Sequence, residues 1–158
     1  TQSERKVIEC AREKSRQNDD CGAVALELQD GRIVTGKNTQ RMSASAACVF
    51  NAVKMLAGIK DSQKLISPYV IGPIIDMKTK ILKEHDKTLT LEEALLALSI
   101  CAASDATAAT AMEQLTQLDG CDAHSTHMLF KADENPFRKL GVRLSSDPEF
   151  LGDTLFNE

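Results

Sequence analysis

At 158 residues and a formal net charge of −4, the chain has the size of one globular domain with a substantial core. Hydrophobic residues make up 42% and charged residues 27% of it, which excludes an intrinsically disordered chain. No apolar run approaches the roughly 20 residues that span a bilayer, so no membrane partner is expected. Basic residues are scattered among acids, and with one Tyr and no Trp little is available for base stacking, so no nucleic-acid partner is expected either.

The cysteines indicate a reducing compartment. They are odd in number, widely spaced and mostly placed inside apolar runs: Cys10, Cys21, Cys48, Cys101 and Cys121. This pattern favours reduced thiols over a disulfide framework, and a cytoplasmic protein is expected. The chain opens at Thr1 inside a charged, helix-like stretch and without an initiator Met, which predicts a domain excised from a larger protein.

The first third of the chain predicts a helix, a β-hairpin and a second helix. Alternating apolar runs flank Asp30-Gly31, a pair typical of tight hairpin turns. The apolar residues that follow recur at helical spacing until Gly58, which suits a C-cap. These elements are predicted over residues 3–17, 23–28, 32–36 and 42–57.

The remaining sequence alternates strands with helices. Thr90 and Glu93 form a capping box ahead of an apolar helix, and Asp105 suits the cap of the next. Strands are predicted over residues 63–67, 124–130 and 142–146, and helices over 73–82, 91–103, 105–118 and 133–140.

This alternation predicts an α/β fold, a three-layer αβα sandwich, as a single domain over residues 1–146. Residues 147–158 are expected to form an acidic C-terminal tail, mobile or completed by missing protein, because its acids have no evident basic partner: Asp147, Glu149, Asp153 and Glu158.

The order of hairpin, loop and helix in GAVALELQDGRIVTGKN and SASAACVFNAV resembles the opening of a cytidine deaminase, which implies a cytidine-deaminase-like fold. Zinc deamination needs a His or Cys ligand at the helix start, a Glu two residues later and a Pro-Cys-x-x-Cys pair. Here Ser43 and Ser45 stand at the ligand and glutamate positions, and no Cys-x-x-Cys occurs. A serine hydroxyl binds zinc poorly and is no general base near neutral pH. We therefore expect no metal, no cofactor and no zinc deaminase activity.

A second resemblance covers nearly the whole chain. The strings DGRIVTGKN, NAVKMLAGI, ISPYVIGPI, LSICAAS, GCDAHST and FRKLGV together resemble the C-terminal part of the bacterial family called domain of unknown function eighteen-forty-six. The resemblance implies missing N-terminal domains as partners, with a glycine-rich, GSGK-like stretch typical of phosphate binding. Nucleotide chemistry would then lie mostly outside this chain. Where the family has Thr-Asn-Pro, this chain has Ser104-Asp105-Ala106, so no role of that asparagine is transferred.

The start of the second helix is the first candidate site, for a small anion. Lys37 and Asn38 lie in the preceding loop, and Ser43 and Ser45 begin the helix. Unpaired backbone N–H groups and the helix dipole favour an anion there, and the hydroxyls and the ammonium would add donors. The structural alternative makes Ser43 an N-cap, Ser45 a small packing residue and Lys37 a solvated side chain.

The string CDAHSTH carries the second candidate. Cys121, His124 and His127 are spaced by threes, but residues three apart on a strand face opposite sides, so a metal site is not expected. His124 and Ser125 are a candidate polar site, since His can act as a base or donor near neutral pH. Adjacent strand residues point apart, however, and a buried His124 bonded to the backbone is the structural alternative.

The sequence predicts a ligand-binding or interface domain of a larger, nucleotide-related bacterial protein, and this part alone is not expected to be catalytic. The alternative is a purely structural module that forms homo-oligomers, with all chemistry in the missing domains. Small residues in LLALSICAASDATAATAM permit close helix approach, either in the core or at such a subunit interface.

Overall fold

The computed structural model describes residues 1–148. The helices in this range are α1 (Gln2–Gln17), α2 (Ala44–Ala57), α3 (Pro68–Asp76), α4 (Leu91–Ala102), α5 (Ala106–Glu113) and α6 (Lys131–Lys139). A π-helical turn at Met77–Ile81 extends α3, and a 3-10 turn at Gln114–Leu118 extends α5. The strands are β1 (Ala23–Glu27), β2 (Ile33–Lys37), β3 (Asp122–Ser125) and β4 (Arg143–Ser146). Among these helices, none has the length and apolar character needed to cross a membrane.

Local side-chain chemistry sets the boundaries that the sequence predicted. Gly31 takes the positive φ of the β1–β2 turn, and Gly58 ends α2 in the left-handed conformation at φ 71°. Thr90 and Glu93 form the predicted capping box at the start of α4. The hairpin and these helix ends are therefore confirmed.

The four strands form one mixed sheet in the order β2-β1-β3-β4. β1 pairs antiparallel with both β2 and β3, whereas β3 and β4 pair parallel. β1 thus runs opposite to its three companions. β2 and β4 are the outer strands of the sheet within the described residues, and they carry the sites discussed below.

Helices cover both faces of the sheet because its strands alternate their side chains. Ala25 faces α1 and packs with Val7 and Ala11. Val24 and Leu26 face the opposite side, where α2 and the helices packed on it bury the larger core. The α/β class is confirmed, with the sheet between α1 and the α2 layer.

A close approach of backbones fixes α2 on the sheet. A Cβ atom on Gly36 of β2 would lie 2.2 Å from the amide nitrogen of Cys48 and 2.6 Å from the carbonyl oxygen of Ala44. Since both are backbone atoms of α2, they cannot move aside as a side-chain tip can. The start of α2 is thereby held directly against the end of β2.

The strand predicted over 63–67 is wrong. These residues form bends without ladder pairing. Leu65 and Ile66 are each 3% exposed and pack beside Phe50 in the helical layer. Their apolar character reflects burial of a loop against helices, which a short apolar run does not distinguish from a buried strand.

The helix predicted over 73–82 begins earlier, at Pro68. Ser67 caps it by accepting from the amide of Tyr69, and Pro68 occupies the first helical turn, where its missing N–H is not needed. Gly72 and Pro73, interpreted as part of a preceding turn, lie inside α3.

The strand predicted over 124–130 ends at Ser125. The Ser125 hydroxyl donates to the carbonyl oxygen of His127 at 2.6 Å, and the His127 amide donates back to Ser125 Oγ at 3.2 Å. This local pairing turns the chain out of the sheet, so His127 lies in the loop that follows.

The expectation that Asp147 lacks a basic partner is also wrong. Its carboxylate lies 2.7 Å from the guanidinium of Arg12 in α1, and its amide donates to the Ser125 carbonyl at 2.9 Å. The other acids of the predicted tail, Glu149, Asp153 and Glu158, lie outside the described residues.

Candidate functional site

The start of α2 already uses several of its polar groups internally. Asn38 accepts the amide of Ala44 on Oδ1 at 2.8 Å, and Ser43 Oγ accepts the amide of Ala46 at 3.2 Å. Ser43 is thus the N-cap, as the structural alternative proposed. These bonds occupy two of the N–H groups that would otherwise face an anion.

A buried carboxylate lies beside this helix start. Asp133 of α6 accepts the Ser43 hydroxyl at 2.9 Å and the amide of Leu91 at 2.7 Å. Burial raises the pKa of Asp133, while those two hydrogen bonds act in the opposite direction. When ionised, this carboxylate repels a second anion, and the anion site predicted here stays a prediction.

Ser45 lies in the first turn of α2 with its side chain fully buried. Its Oγ atom has no hydrogen-bond partner among residues 1–148. An unpaired buried hydroxyl of this kind destabilises a fold by roughly 1–3 kcal/mol. Ser45 therefore differs from Ser43, whose hydroxyl both donates and accepts a hydrogen bond.

His127 adjoins Asn38 where β2 and β3 end. A Cβ on Gly22 would come within 2.7 Å of the His127 ring and 3.0 Å of Asn38 Nδ2, so the three residues are in close contact. Burial lowers the pKa of His127, which favours the neutral ring. From the sequence, His127 was considered only as one of three metal ligands, and no local pattern indicated its contact with Gly22 and Asn38.

His124 and Ser125 do not form a pair. His124 faces the α1 side, where its Nδ1 lies 2.8 Å from Ser145 Oγ and its Nε2 lies 3.1 Å from the Asp147 carboxylate. Ser125 bonds instead to His127. Consecutive strand residues point to opposite faces of the sheet, so the two side chains lie apart, as expected from strand geometry.

The cysteine and histidine ligand set likewise does not assemble. Across residues 1–148, no three His, Cys, Asp or Glu side chains are grouped so as to hold a metal ion. Cys121 precedes β3, and its thiol lies 3.7 Å from the Gln117 carbonyl oxygen. All five cysteines are free, and burial raises the pKa of Cys48 to about 12, so that thiol stays protonated.

Lys37 is separated from the rest of the predicted set. It is the last residue of β2, and its Nζ donates to Asn18 Oδ1 at 2.8 Å, beyond the end of α1. Asn38 instead contacts the start of α2. The alternation of strand side chains thus directs Lys37 to a different place from Asn38 and Ser43.

Lys37 belongs to a basic cavity of about 470 Å³ at the β2 edge, bounded by α2 and the loop at 61–66. Five cationic side chains line it: Lys14, Lys37, Arg41, Lys54 and Lys64. Asp61 is the one acid in the lining. Within residues 1–148 no carboxylate lies at salt-bridge distance from any of the five cations. The concentration of positive charge contrasts with the net negative charge of the chain.

Lys54 is the most deeply placed of these cations. It is 9% exposed, and its Nζ donates to the carbonyl oxygen of Asp61 at 3.1 Å. Burial lowers the pKa of Lys54 below 10.5; the Asp61 charge opposes this shift, and the Lys64 charge adds to it. The Lys54 residue is therefore mostly buried, and its ammonium donates to a neutral carbonyl rather than to a carboxylate.

Sequence reasoning missed this cavity because its cations come from four separate segments. The one local signal was Lys54 itself, a charged residue at a position that helical spacing assigns to the buried side of α2. A lysine there can instead extend its ammonium to the surface, so the sequence alone did not distinguish a buried cation from a solvated one.

These features define a mixed α/β domain with a basic cavity at one edge of its sheet. The chain belongs to the family described as "Domain of unknown function DUF1846, C-terminal", whose family model matches residues 3–156. The family predicted from the six strings is confirmed.

Two curated relatives share most of the chain. A UPF0371 protein of Clostridioides difficile (strain 630) is 49% identical over 145 residues, which cover 92% of this chain and 29% of that protein. A UPF0371 protein of Clostridium tetani is 46% identical over 162 residues, which cover 98% of this chain and 32% of that protein. The chain thus spans about three tenths of the length of these relatives.

Proposed function

We propose that this chain is a ligand-binding domain that takes an organic anion into the cavity at the β2 edge. The observation that carries this proposal is Lys54, a mostly buried residue whose ammonium has no carboxylate at salt-bridge distance among residues 1–148. Burying an unpaired charge destabilises a fold, and an anion bound beside it would recover much of that energy. In this proposal the protein without ligand retains the unfavourable Lys54 charge because that charge is required to bind the anion.

The other lining residues narrow the chemistry of the ligand. Beside neutral polar residues, apolar side chains line part of the cavity: Met42, Ala47, Phe50, Leu65, Ile66 and Ile71. A volume near 470 Å³ suits a small molecule rather than a single ion. The proposed ligand therefore combines a carboxylate or phosphate with an apolar or aromatic body, a class that includes nucleotides.

We also propose that the fold is cytidine-deaminase-like and that it does not deaminate. The hairpin followed by a helix against the same sheet supports the scaffold. Ser43 and Ser45 stand where the reaction needs a zinc ligand and a proton carrier, and Ser43 is already bonded to Asp133. A domain that binds a ligand but does not deaminate agrees both with this scaffold and with the two serines.

A binding experiment tests the proposed cavity. Thermal shift is measured for the 158-residue chain with inorganic phosphate, citrate, AMP and ATP, and any stabilising compound is titrated by calorimetry. A ligand that binds the folded state must raise the melting temperature. Lys54→Met should weaken binding at least about 30-fold, because losing one partner of a buried charge pair costs roughly 2 kcal/mol or more.

The matched control is Lys80→Met, which removes an exposed lysine outside the cavity lining. It should leave the affinity unchanged. Lys54→Met should also melt no lower than the wild type without ligand, because an apolar side chain replaces a poorly paired charge. Equal affinity in Lys54→Met and the wild type, or no stabilisation by any of the four compounds, would refute the proposal.

A second candidate function is a contact surface for the rest of the longer protein. Leu96 and Ile100 lie one turn apart on α4 and are 61% and 58% exposed. The chain spans about three tenths of the length of its relatives, and in this proposal the remainder of a parent protein of that length covers the surface. Leu96→Glu should then destabilise the full-length protein but not the isolated chain. A shift of the isolated chain from dimer to monomer in light scattering would indicate a homo-oligomer instead.

A further inference from the structure

A serine, a histidine and an aspartate are linked in series at the sheet edge opposite the cavity. Register in the parallel β3–β4 pair sets His124 beside Ser145. Ser145 Oγ lies 2.8 Å from His124 Nδ1, and His124 Nε2 lies 3.1 Å from Asp147 Oδ1. We propose that Ser145 is a nucleophilic serine, activated by His124 and Asp147, that accepts an acyl group from an ester. This activity goes beyond anion binding and does not depend on it.

The hydrogen-bond order fixes the tautomer that a base needs. Asp147 is an acceptor, so Nε2 of His124 carries the hydrogen, and Nδ1 presents its lone pair to the Ser145 hydroxyl. Arg12 of α1 binds Asp147 with two nitrogens at 2.7 and 3.2 Å and holds the carboxylate in place. A nucleophile, a base and a group that orients the base are thus present in one line.

Burial and charge favour the protonation states of His124 and Asp147 that the proposed reaction needs. Burial lowers the pKa of His124, with the charge of Asp147 opposing the shift, so the imidazole favours its neutral, basic form. The hydrogen bond from Arg12 lowers the pKa of Asp147, which keeps it ionised. His124 is 3% exposed, whereas Ser145 is exposed, so an electrophile can reach the hydroxyl while the base is shielded.

A second contact of Ser145 is weaker. Its hydroxyl also lies 3.4 Å from the carbonyl oxygen of Ala123, near the limit for a hydrogen bond, so the ring nitrogen at 2.8 Å is the better acceptor. The backbone supplies a candidate oxyanion donor as well. Arg143 and Asp147 direct their amides to β3, so the alternate amide of Ser146 points away from it, directly after the nucleophile.

The proposed step balances as a simple ester hydrolysis. Ser145 Oγ bonds to the carbonyl carbon, and its proton moves to His124 Nδ1 while the Ser146 amide faces the developing oxyanion. The bond to the alcohol breaks, and the alcohol leaves with that proton. Water then attacks the acyl-serine, gives a proton to His124, and Ser145 recovers it as the acyl group leaves as a carboxylic acid.

A fluorophosphonate probe tests this on the 158-residue chain, with intact-mass and peptide mass spectrometry as the readout. The wild type should gain one phosphonyl group on Ser145, with loss of fluoride. Ser145→Ala should remove the adduct. The control Ser99→Ala removes an exposed serine on α4 that takes no part in the proposed site, and it should label like the wild type.

Variants of His124 and Asp147 distinguish a Ser145 hydroxyl that is activated by these residues from one that reacts only because it is exposed. His124→Gln and Asp147→Asn should each slow labelling of Ser145 at least about 100-fold, the usual contribution of a positioned general base. If His124→Gln fails to fold by circular dichroism, Asp147→Asn carries the comparison, since it preserves the shape of the side chain. Absence of a Ser145 adduct in the wild type, or equal rates in the wild type and a folded variant, overturns the proposal.

Discussion

Alanine substitution of Ser43, the N-cap of α2, and of Ser45, in its first turn, should change the free energy of unfolding in opposite directions. Ser43 Oγ accepts the amide of Ala46 and donates to Asp133, whereas Ser45 Oγ is fully buried and unpaired among residues 1–148. Ser45→Ala therefore removes an unsatisfied polar group. Ser43→Ala removes a helix cap and leaves a buried carboxyl with one donor fewer.

The expected magnitudes follow from these contacts. Leaving a buried hydroxyl unpaired costs about 1–3 kcal/mol, and removing it leaves a gap smaller than a methyl group. Ala also has a slightly higher helix propensity than Ser. Ser45→Ala should therefore raise the free energy of unfolding by about 1 kcal/mol. Ser43→Ala should lower it by about 1–2 kcal/mol, the usual loss for an N-cap.

Urea denaturation followed by circular dichroism measures both changes, with the denaturant slope checked for constancy. Thermal melting should agree, at about 2–4 °C per kcal/mol for a domain of this size. The two variants serve as controls for each other, because both shorten a serine at the start of the same helix. A loss of more than about 1 kcal/mol in Ser45→Ala would refute the reasoning, since its hydroxyl would then have a partner.

Two further substitutions test the site's surroundings. Gly36→Ala should destabilise the chain by about 2 kcal/mol or more in urea denaturation, because its Cβ meets backbone atoms of α2; a loss below 0.5 kcal/mol would contradict that contact. The folded state raises the pKa of Asp133 and therefore binds the proton of this carboxyl more tightly than the unfolded state does. This proton binding stabilises the fold at low pH, and the stabilisation is lost as pH rises through the folded-state pKa. Asp133→Asn should therefore gain stability relative to the wild type as pH rises from about 4 to 7, measured as free energies of unfolding; a constant difference would exclude the raised pKa.

The sequence by itself determined the features that depend on a few neighbouring residues. Asp30-Gly31 determined the hairpin turn, and Thr90 with Glu93 determined the start of α4. The N-cap role of Ser43 was one of the two interpretations that the sequence allowed. Backbone conformation and capping are local, so the residues that decide them stand side by side in the chain. The family was likewise readable from six short strings.

Tertiary structure alone decided where the functional groups meet. Leu65 and Ile66 were apolar enough for a strand, but burial against Phe50 made them a loop. Lys37 and Asn38 are neighbours in the chain, yet strand alternation sends one to the basic cavity and the other to α2. Such outcomes depend on register and packing between distant segments, which local patterns do not contain.

The same reason accounts for both proposed sites. The ammonium of Lys54 could have been solvated, and only the surrounding loop makes it a buried cation. His124 was singled out for its neighbour Ser125, but the parallel pairing of β3 with β4 gives it Ser145 instead. The sequence thus determined which chemical groups are available. The three-dimensional packing decided which of them can act together, because hydrogen bonds and charges act over a few ångströms of space and not along the chain.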